Sequence, residues 1–194
     1  MDKRRWPKAT PTSAVAKFAA SGKAVGKKDM GMIAMSYGYI YVAKIAMGAN
    51  QNQAVKAFAE AEAYNGPSLI LAYSHCIAQG INMTRGMYNQ KIAVDTGYWP
   101  LFRFNPTLEK KGEHPFKLDS KPPKLPLREF TQMETRFKML ERSHPDRAKE
   151  LSILAQEDIA VRLKVYEQLA QSPENNRKTS DENDRSNPKQ IVEE

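Results

Sequence analysis

Cysteine is nearly absent: Cys76 is the only one in 194 residues. One thiol excludes an internal disulfide framework and fits a reducing compartment, so the chain is expected in the cytoplasm. No apolar run approaches the roughly 20 residues that span a bilayer. No apolar segment of signal-peptide type follows the basic start Met1-Asp-Lys-Arg-Arg-Trp-Pro7. No membrane partner is therefore expected. There is no GxGxxG, no Walker loop, no HExxH and no GxSxG, and no internal repeat. Histidine is also scarce: His75, His114 and His144. Only His75 adjoins the cysteine, and neighbours on an extended segment point to opposite sides, so the pair is not a catalytic dyad. A metal site built from this chain alone lacks a second thiolate.

What remains is an ordinary soluble composition, 41% hydrophobic and 27% charged. The length suits one domain with a real core, or a domain plus a tail. The net charge of +8 is unevenly placed. Lys3, Arg4, Arg5, Lys8, Lys17, Lys23, Lys27 and Lys28 stand against Asp2 alone in the first 28 residues. Such a leader grips phosphate or faces an acidic partner. No aromatic-interleaved basic face accompanies it, and nucleic acid is not expected as a partner.

Residues 12–21 read as a short helix, with Thr12 or Ser13 as N-cap, Gly22 as stop, and Val15, Phe18 and Ala19 on one face. Asp29 caps a second helical segment over 30–36, whose methionines read as core filler. Residues 39–45, β-branched and aromatic, predict a strand. A helix over 52–63 carries Val55, Phe58, Ala59 and Glu62 at helical spacing. Gly66-Pro67 then admits a short apolar run, 69–73, too short for a helix and read as a buried strand. Strand, helix and strand over about 35 residues is the size of a right-handed βαβ crossover, which predicts an α/β fold with a parallel sheet and helices on its faces. Cys76 follows at the C-terminal end of that last strand. Two readings stand there: a small buried hydrophobe, or chemistry at a strand end.

A helix over 85–96 turns Ile92, Ala93 and Thr96 inward, and Gly97 stops it. Residues 98–104 form a third strand candidate, placed at an edge by Pro100. Residues 105–126 look irregular, anchored by Phe116 and Leu118. Two helices follow. One, over 127–142, carries the stripe Leu127, Phe130, Met133, Phe137 and Leu140. The other has Ser143 as cap and Pro145 in its first turn, and presents Ala148, Leu151, Leu154, Ala155, Ile159, Leu163, Tyr166 and Ala170. Together they predict a packed helical hairpin. The polar tail, 172–194, reads as disordered.

Several blocks resemble one known family. They are Lys8-Ala-Thr-Pro-Thr12, Ala14-Val-Ala-Lys-Phe-Ala-Ala20, residues 27–39 (KKDMGMIAMSYGY) and Ala46-Met-Gly-Ala-Asn-Gln51. Glu60-Ala-Glu-Ala-Tyr64, Gly66-Pro-Ser-Leu-Ile70, Ala72-Tyr-Ser74 with Cys76-Ile77, Gly97-Tyr-Trp99 and Pro115-Phe-Lys-Leu-Asp-Ser-Lys121 continue the series. In order, from about residue 8 to about 169, they resemble the C-terminal end of pyruvate:ferredoxin (flavodoxin) oxidoreductase. That multidomain enzyme carries thiamine diphosphate and iron–sulfur clusters, makes acetyl-CoA from pyruvate, and reduces ferredoxin or flavodoxin. The resemblance implies that 8–104 are the later portion of a thiamine-diphosphate-binding α/β domain, followed by the loop and helical hairpin of 105–171. It also implies that Cys76 is the last of four ligands to a [4Fe–4S] cluster. Thiolate is the soft ligand such clusters take.

The departures limit this. The family places a Ser-Asn-Thr-Gly-Gly-Gln segment just before the Lys-Ala-Thr-Pro block and a Gly-Asp-Gly motif further upstream; here the chain begins Met1-Asp-Lys-Arg-Arg. The cofactor-anchoring motifs and the other three cluster cysteines are not in this chain. His75 stands where the family usually has a small residue or proline. The expectation is a C-terminal fragment, or one part of a split enzyme, without bound cofactor or activity on its own and partnered by the upstream portion. The alternative is a non-catalytic remnant acting as a protein-interaction module.

Overall fold

The structure, a computed structural model, describes residues 9–16 and 19–171. Six α-helices and four strands make up this part: α1 (Met30–Met35), β1 (Tyr41–Ile45), α2 (Gln51–Ala63), β2 (Ser68–Ala72), α3 (Gly86–Asp95), β3 (Phe102–Phe104), β4 (Phe116–Leu118), α4 (Leu127–Thr131), α5 (Thr135–Ser143) and α6 (Pro145–Ala170). Short 3-10 turns occupy Ile77–Gln79, Met83–Arg85 and Pro106–Lys111. The predicted tail, 172–194, lies outside the described residues.

The fold is α/β, as expected, and its sheet is mixed. Strand order is β2-β1-β3-β4. β1 and β2 run parallel in the register Tyr41↔Ser68 to Ile45↔Ala72, joined through α2 as the βαβ spacing predicts. β3 is antiparallel to β1, and β4 to β3. Residues 98–104 therefore do not supply an edge strand. Pro100 precedes the strand, where its missing N–H costs nothing, and Phe116–Leu118, expected to be loop, form the edge beyond β3.

β1 is buried along its whole length, and its alternation serves both faces. Tyr41, Ala43 and Ile45 pack under α2 through Ala54 and Ala57. Val42 faces the other way, into a cluster with Phe102, Phe116 and Tyr166 of α6. Asn50 starts α2 by accepting from Gln53 N at 3.0 Å, and Asp29 starts α1 by accepting from the N–H groups of Gly31 and Met32. The face of α2 that carries Val55 and Phe58 points outward, at 69% and 54% exposure. Alanines take the inner side, because the aromatic and branched residues of β1 leave room there only for small side chains.

The sequence predicts a helix over 12–21, and the described residues there form turns instead. Ser13 has φ of 70°, Ala16 and Ala19 form an isolated antiparallel bridge, and Ser13 N donates to Lys23 O. Long-range bonds decide this segment: Val15 N donates to Arg136 O at 3.0 Å, and the Thr12 hydroxyl to Asp158. The helix expected over 127–142 is interrupted between α4 and α5. Glu134 is buried there at 2% exposure, accepting from Arg136 and from the Tyr73 hydroxyl. The apolar stripe survives the break: Leu127, Phe130, Phe137 and Leu140 are buried. Ser143 is not the cap of α6; its hydroxyl donates to Met139 O within the preceding helix, and His144 occupies the cap position. α5 and α6 form the expected hairpin, closed by Leu140, Ala148 and Leu151. Leu154 lies outward at 40% exposure, while Ile159, Leu163 and Tyr166 face the core. Each such apolar side chain contributes roughly 1.5–3 kcal/mol on burial. Ile92, Ala93 and Thr96 point inward as predicted, and Gly97, just past the C-cap Thr96 of α3, stops the helix with a φ of +71° that only glycine adopts freely.

Candidate functional site

The stretch after β2 is held at its root and open at its tip. Tyr73 N donates to Ile45 O at 2.9 Å, extending the β1–β2 pairing by one residue. The indole N–H of Trp99 reaches the same carbonyl at 2.9 Å. Three residues further on, Cys76 is extended and heads the turn Ile77–Gln79, with Gln79 N donating to Cys76 O at 2.9 Å. Its thiol is free and exposed. The buried-hydrophobe reading of Cys76 is therefore wrong. The segment that leaves the sheet after Tyr73 carries it out of the core.

His75, its neighbour, is partly buried, with Nδ1 enclosed and without a hydrogen-bond partner. Its ring fits only because residue 86 is glycine: a Cβ there would stand 2.1 Å from Nε2. His114 lies at the foot of β4, its Nδ1 2.8 Å from Phe116 O, and His144 is at the head of α6. The structure does not bring the three histidines together. Among the described residues no three His, Cys, Asp or Glu side chains converge on a metal position.

Cys76 lies on a cavity of about 250 Å³ lined by Lys27, Tyr73, Trp99, Glu134 and Arg136 among others. Its chemistry is aromatic and cationic. Arg136 pairs with Glu134 and donates to the Tyr98 hydroxyl at 3.4 Å. Lys27 Nζ stands 5.6 Å from the centre of the Trp99 ring. Burial holds the Lys27 amine below its ordinary range, and the positive charges of Arg136 and Arg162 add to this. Burial, helped by the Glu134 carboxylate, raises the Tyr73 phenol, which stays a neutral donor.

Beyond Trp99 a larger cleft, about 590 Å³, runs between the sheet and α6, sharing Lys27, Tyr98 and Trp99 with the first. Lys44, one residue before the end of β1, lies on it with 6% exposure. Its Nζ sits 4.3 Å from the Trp99 ring centre and 6.0 Å from that of Tyr166. Burial lowers its pKa to about 7, and Arg162 adds to the shift. The Tyr166 hydroxyl donates to Asp29, and burial together with that carboxylate raises its pKa.

The sequence reading found Cys76 and missed Lys44, Glu134, Arg136, Arg162 and Trp99. One signal was present: Lys44 interrupts an otherwise apolar strand, and a lysine in a central strand is rarely without purpose. The others come from helices or loops distant in sequence, and spacing alone did not join them.

Fold and site together define an α/β unit with one exposed thiol beside a basic, aromatic cavity. No protein-family model matches the chain. Comparison with characterised proteins establishes the resemblance directly: the chain is homologous to one segment of the pyruvate-flavodoxin and pyruvate:ferredoxin oxidoreductases. It is 56% identical over 163 residues to the pyruvate-flavodoxin oxidoreductase of Trichormus variabilis, which covers 84% of this chain and 14% of that protein. It is 51% identical over 164 residues to the pyruvate:ferredoxin oxidoreductase of Moorella thermoacetica, with the same coverage. Against the mitochondrial pyruvate dehydrogenase [NADP(+)] of Euglena gracilis the figures are 42% over 168 residues, 86% of this chain and 9% of that one. The chain thus spans about one seventh of the oxidoreductases it matches. No helix among the described residues is long and apolar enough to cross a membrane.

Proposed function

We propose that this chain is the C-terminal piece of a pyruvate:ferredoxin or pyruvate-flavodoxin oxidoreductase. In this reading residues 8–104 form the later part of its thiamine-diphosphate domain, residues 105–171 its closing loop and helices, and Cys76 one thiolate ligand of a [4Fe–4S] cluster. The observation that carries the reading is the match of 47–56% identity over 84% of the chain to five such enzymes.

The residues present fit one ligand's share of a cluster. An exposed thiol deprotonates and binds metal without a core having to open. Lys27 and Arg136 on the adjoining cavity suit a group whose thiolates bring negative charge. They do not fit a whole cluster, because the chain has one cysteine, nor a metal–diphosphate anchor, because no acidic ligand group converges among the described residues. When bound, the cluster supplies one-electron transfer and the thiamine the decarboxylation chemistry. The chain's own contribution is positional: Ile45 O fixes Tyr73 and Trp99, and that pair fixes where the thiol leaves the sheet. Ferredoxin or flavodoxin would take the electrons from the complete enzyme, in the cytoplasm. Alone the chain is inactive.

The test has two stages. The purified chain is incubated with pyruvate, coenzyme A, thiamine diphosphate and an electron acceptor; no turnover is expected, and turnover would refute the assignment as a fragment. The chain is then co-expressed with an upstream portion of such an enzyme. Cys76→Ser is expected to abolish one cluster's signal in electron paramagnetic resonance without breaking the complex. A complex with a full set of clusters in the variant would remove Cys76 from the ligand set. The alternative, a non-catalytic interaction module, draws on the outward Val55 and Phe58, and complex formation without any gain of activity would favour it.

A further inference from the structure

We infer that the 590 Å³ cleft between the sheet and α6 is a binding site for an amphiphilic organic anion, a carboxylate or phosphate head on an apolar body. The inference does not depend on the cluster reading, since it rests on Lys44 and Arg162, which line the larger cleft and not the cavity beside Cys76.

Unanswered positive charge carries the inference. Lys44 is buried and lies on the cleft, and its ammonium makes no hydrogen bond or ion pair to any described residue; the contacts of that group are the faces of Trp99 and Tyr166. Arg162, from α6, gives one N–H to Tyr98 O at 3.0 Å, and its Nε is buried without a partner. Lys27 enters from the loop before α1 and rests on Trp99. Asp29, the nearest carboxylate, is already committed: one oxygen accepts from Gly31 N and Met32 N, the other from the Tyr166 hydroxyl. Asp158 accepts from Thr12, and Glu157 is exposed on α6. A buried cation without an anion is costly: it gives up its proton, or a side chain or a ligand supplies the partner.

The walls define the rest of the ligand. Leu71, Met30, Met32, Val165 and the rings of Trp99 and Tyr166 make an apolar channel, and its volume falls in the range of drug-sized ligands, far above what a three-carbon acid fills. A head bound by Lys44 and Arg162 places the body along these residues. Charge selects the head and apolar burial holds the body.

The full chain carrying Trp6→Phe leaves Trp99 as sole tryptophan and fluorescent reporter. It is titrated with octanoate, octyl phosphate and octanol. The two anions are expected to bind at least tenfold more tightly than the alcohol, and their ratio tells which head the site prefers. Lys44→Met is expected to erase that tenfold advantage, and Lys44→Arg to keep it. Equal binding of alcohol and anions, or an undiminished advantage in Lys44→Met, overturns the proposal. Should Lys44→Met fail to fold, the unaltered Lys44 chain decides. Its octanoate affinity must fall from about pH 6 to about pH 9, as Lys44 loses its proton among Lys27, Asp29, Arg162 and Tyr166, while octanol affinity stays level. Parallel pH profiles for acid and alcohol overturn it.

Discussion

Replacing Arg103 by methionine tests how the sheet is tied to its covering helix. Arg103, in β3, is 7% exposed. Its Nε and Nη2 donate to the two oxygens of Asp119 at 2.8 and 2.9 Å, a bidentate pair. Its Nη1 reaches Glu60 of α2, which also accepts from the Tyr41 hydroxyl at 3.0 Å. Asp119 in turn accepts from Gln53 Nε2 of α2 at 3.0 Å. Arg103→Met keeps the side chain's bulk and strands Asp119, whose side chain is 9% exposed, with one neutral donor. Removing one partner of a buried pair costs about 3–5 kcal/mol. The Glu60 arm adds little, because that carboxylate is 28% exposed and partly screened. For a chain of this length the loss corresponds to a fall in Tm of roughly 6–20 °C. Urea unfolding followed by circular dichroism measures it. The double variant Arg103→Met/Asp119→Leu removes both charges and is expected to recover most of the loss. A single variant within about 1 kcal/mol of the wild type, or a double variant no better than the single, would refute the account.

Other substitutions probe the site and its supports. Lys44→Met is expected to stabilise the chain below pH 7 and to lose that advantage towards pH 10: the folded lysine gives up its proton near 7 while the unfolded one holds it to 10.5, so wild-type stability climbs across that window, as thermal melts at several pH values will show. Tyr166→Phe removes the donor to Asp29 at the head of α1 and is expected to cost about 1.5–3 kcal/mol by denaturant titration. Gly86→Ala forces a Cβ into the His75 ring and is expected to cost about 1–3 kcal/mol, recovered in part by adding His75→Ala; a neutral Gly86→Ala would mean that the ring does not sit there. Cys76 in the native chain is expected to react completely with a thiol reagent without denaturant, whereas a protected thiol would contradict its exposure.

What the sequence disclosed follows from how local each signal is. Asp29 caps α1 and the βαβ unit forms, because both depend on neighbours within a few turns, although β2, read as buried, is a half-exposed edge strand. The inward set Ile92, Ala93 and Thr96 was legible from period alone. Residues 12–21 satisfied the local rules for a helix, and the described ones among them became turns, because Asp158 and Arg136, more than 115 positions away, bind Thr12 and Val15. Glu134 broke a helix whose apolar stripe was read correctly, because its partners Tyr73 and Arg136 belong to the site. The strand after Pro100 was assigned to an edge by a rule about missing N–H groups, yet the proline precedes the paired residues. Val55 and Phe58 have the right spacing for a buried face and lie outside it, because period fixes that a helix has a face and not which residues it turns inward. Cys76 was singled out by scarcity and Lys44 overlooked among 30 basic residues, although both lie beside Trp99.

The hydroxyl of Thr12 rests on Asp158, and that of Tyr166 on Asp29. On the ribosome, Thr12 and Asp29 must therefore wait until Asp158 and Tyr166 of α6 have left the exit tunnel before they find these partners. The β1–α2–β2 unit closes much earlier, within about 35 residues of chain. Synthesis at roughly 5–20 residues per second separates the two events by several seconds.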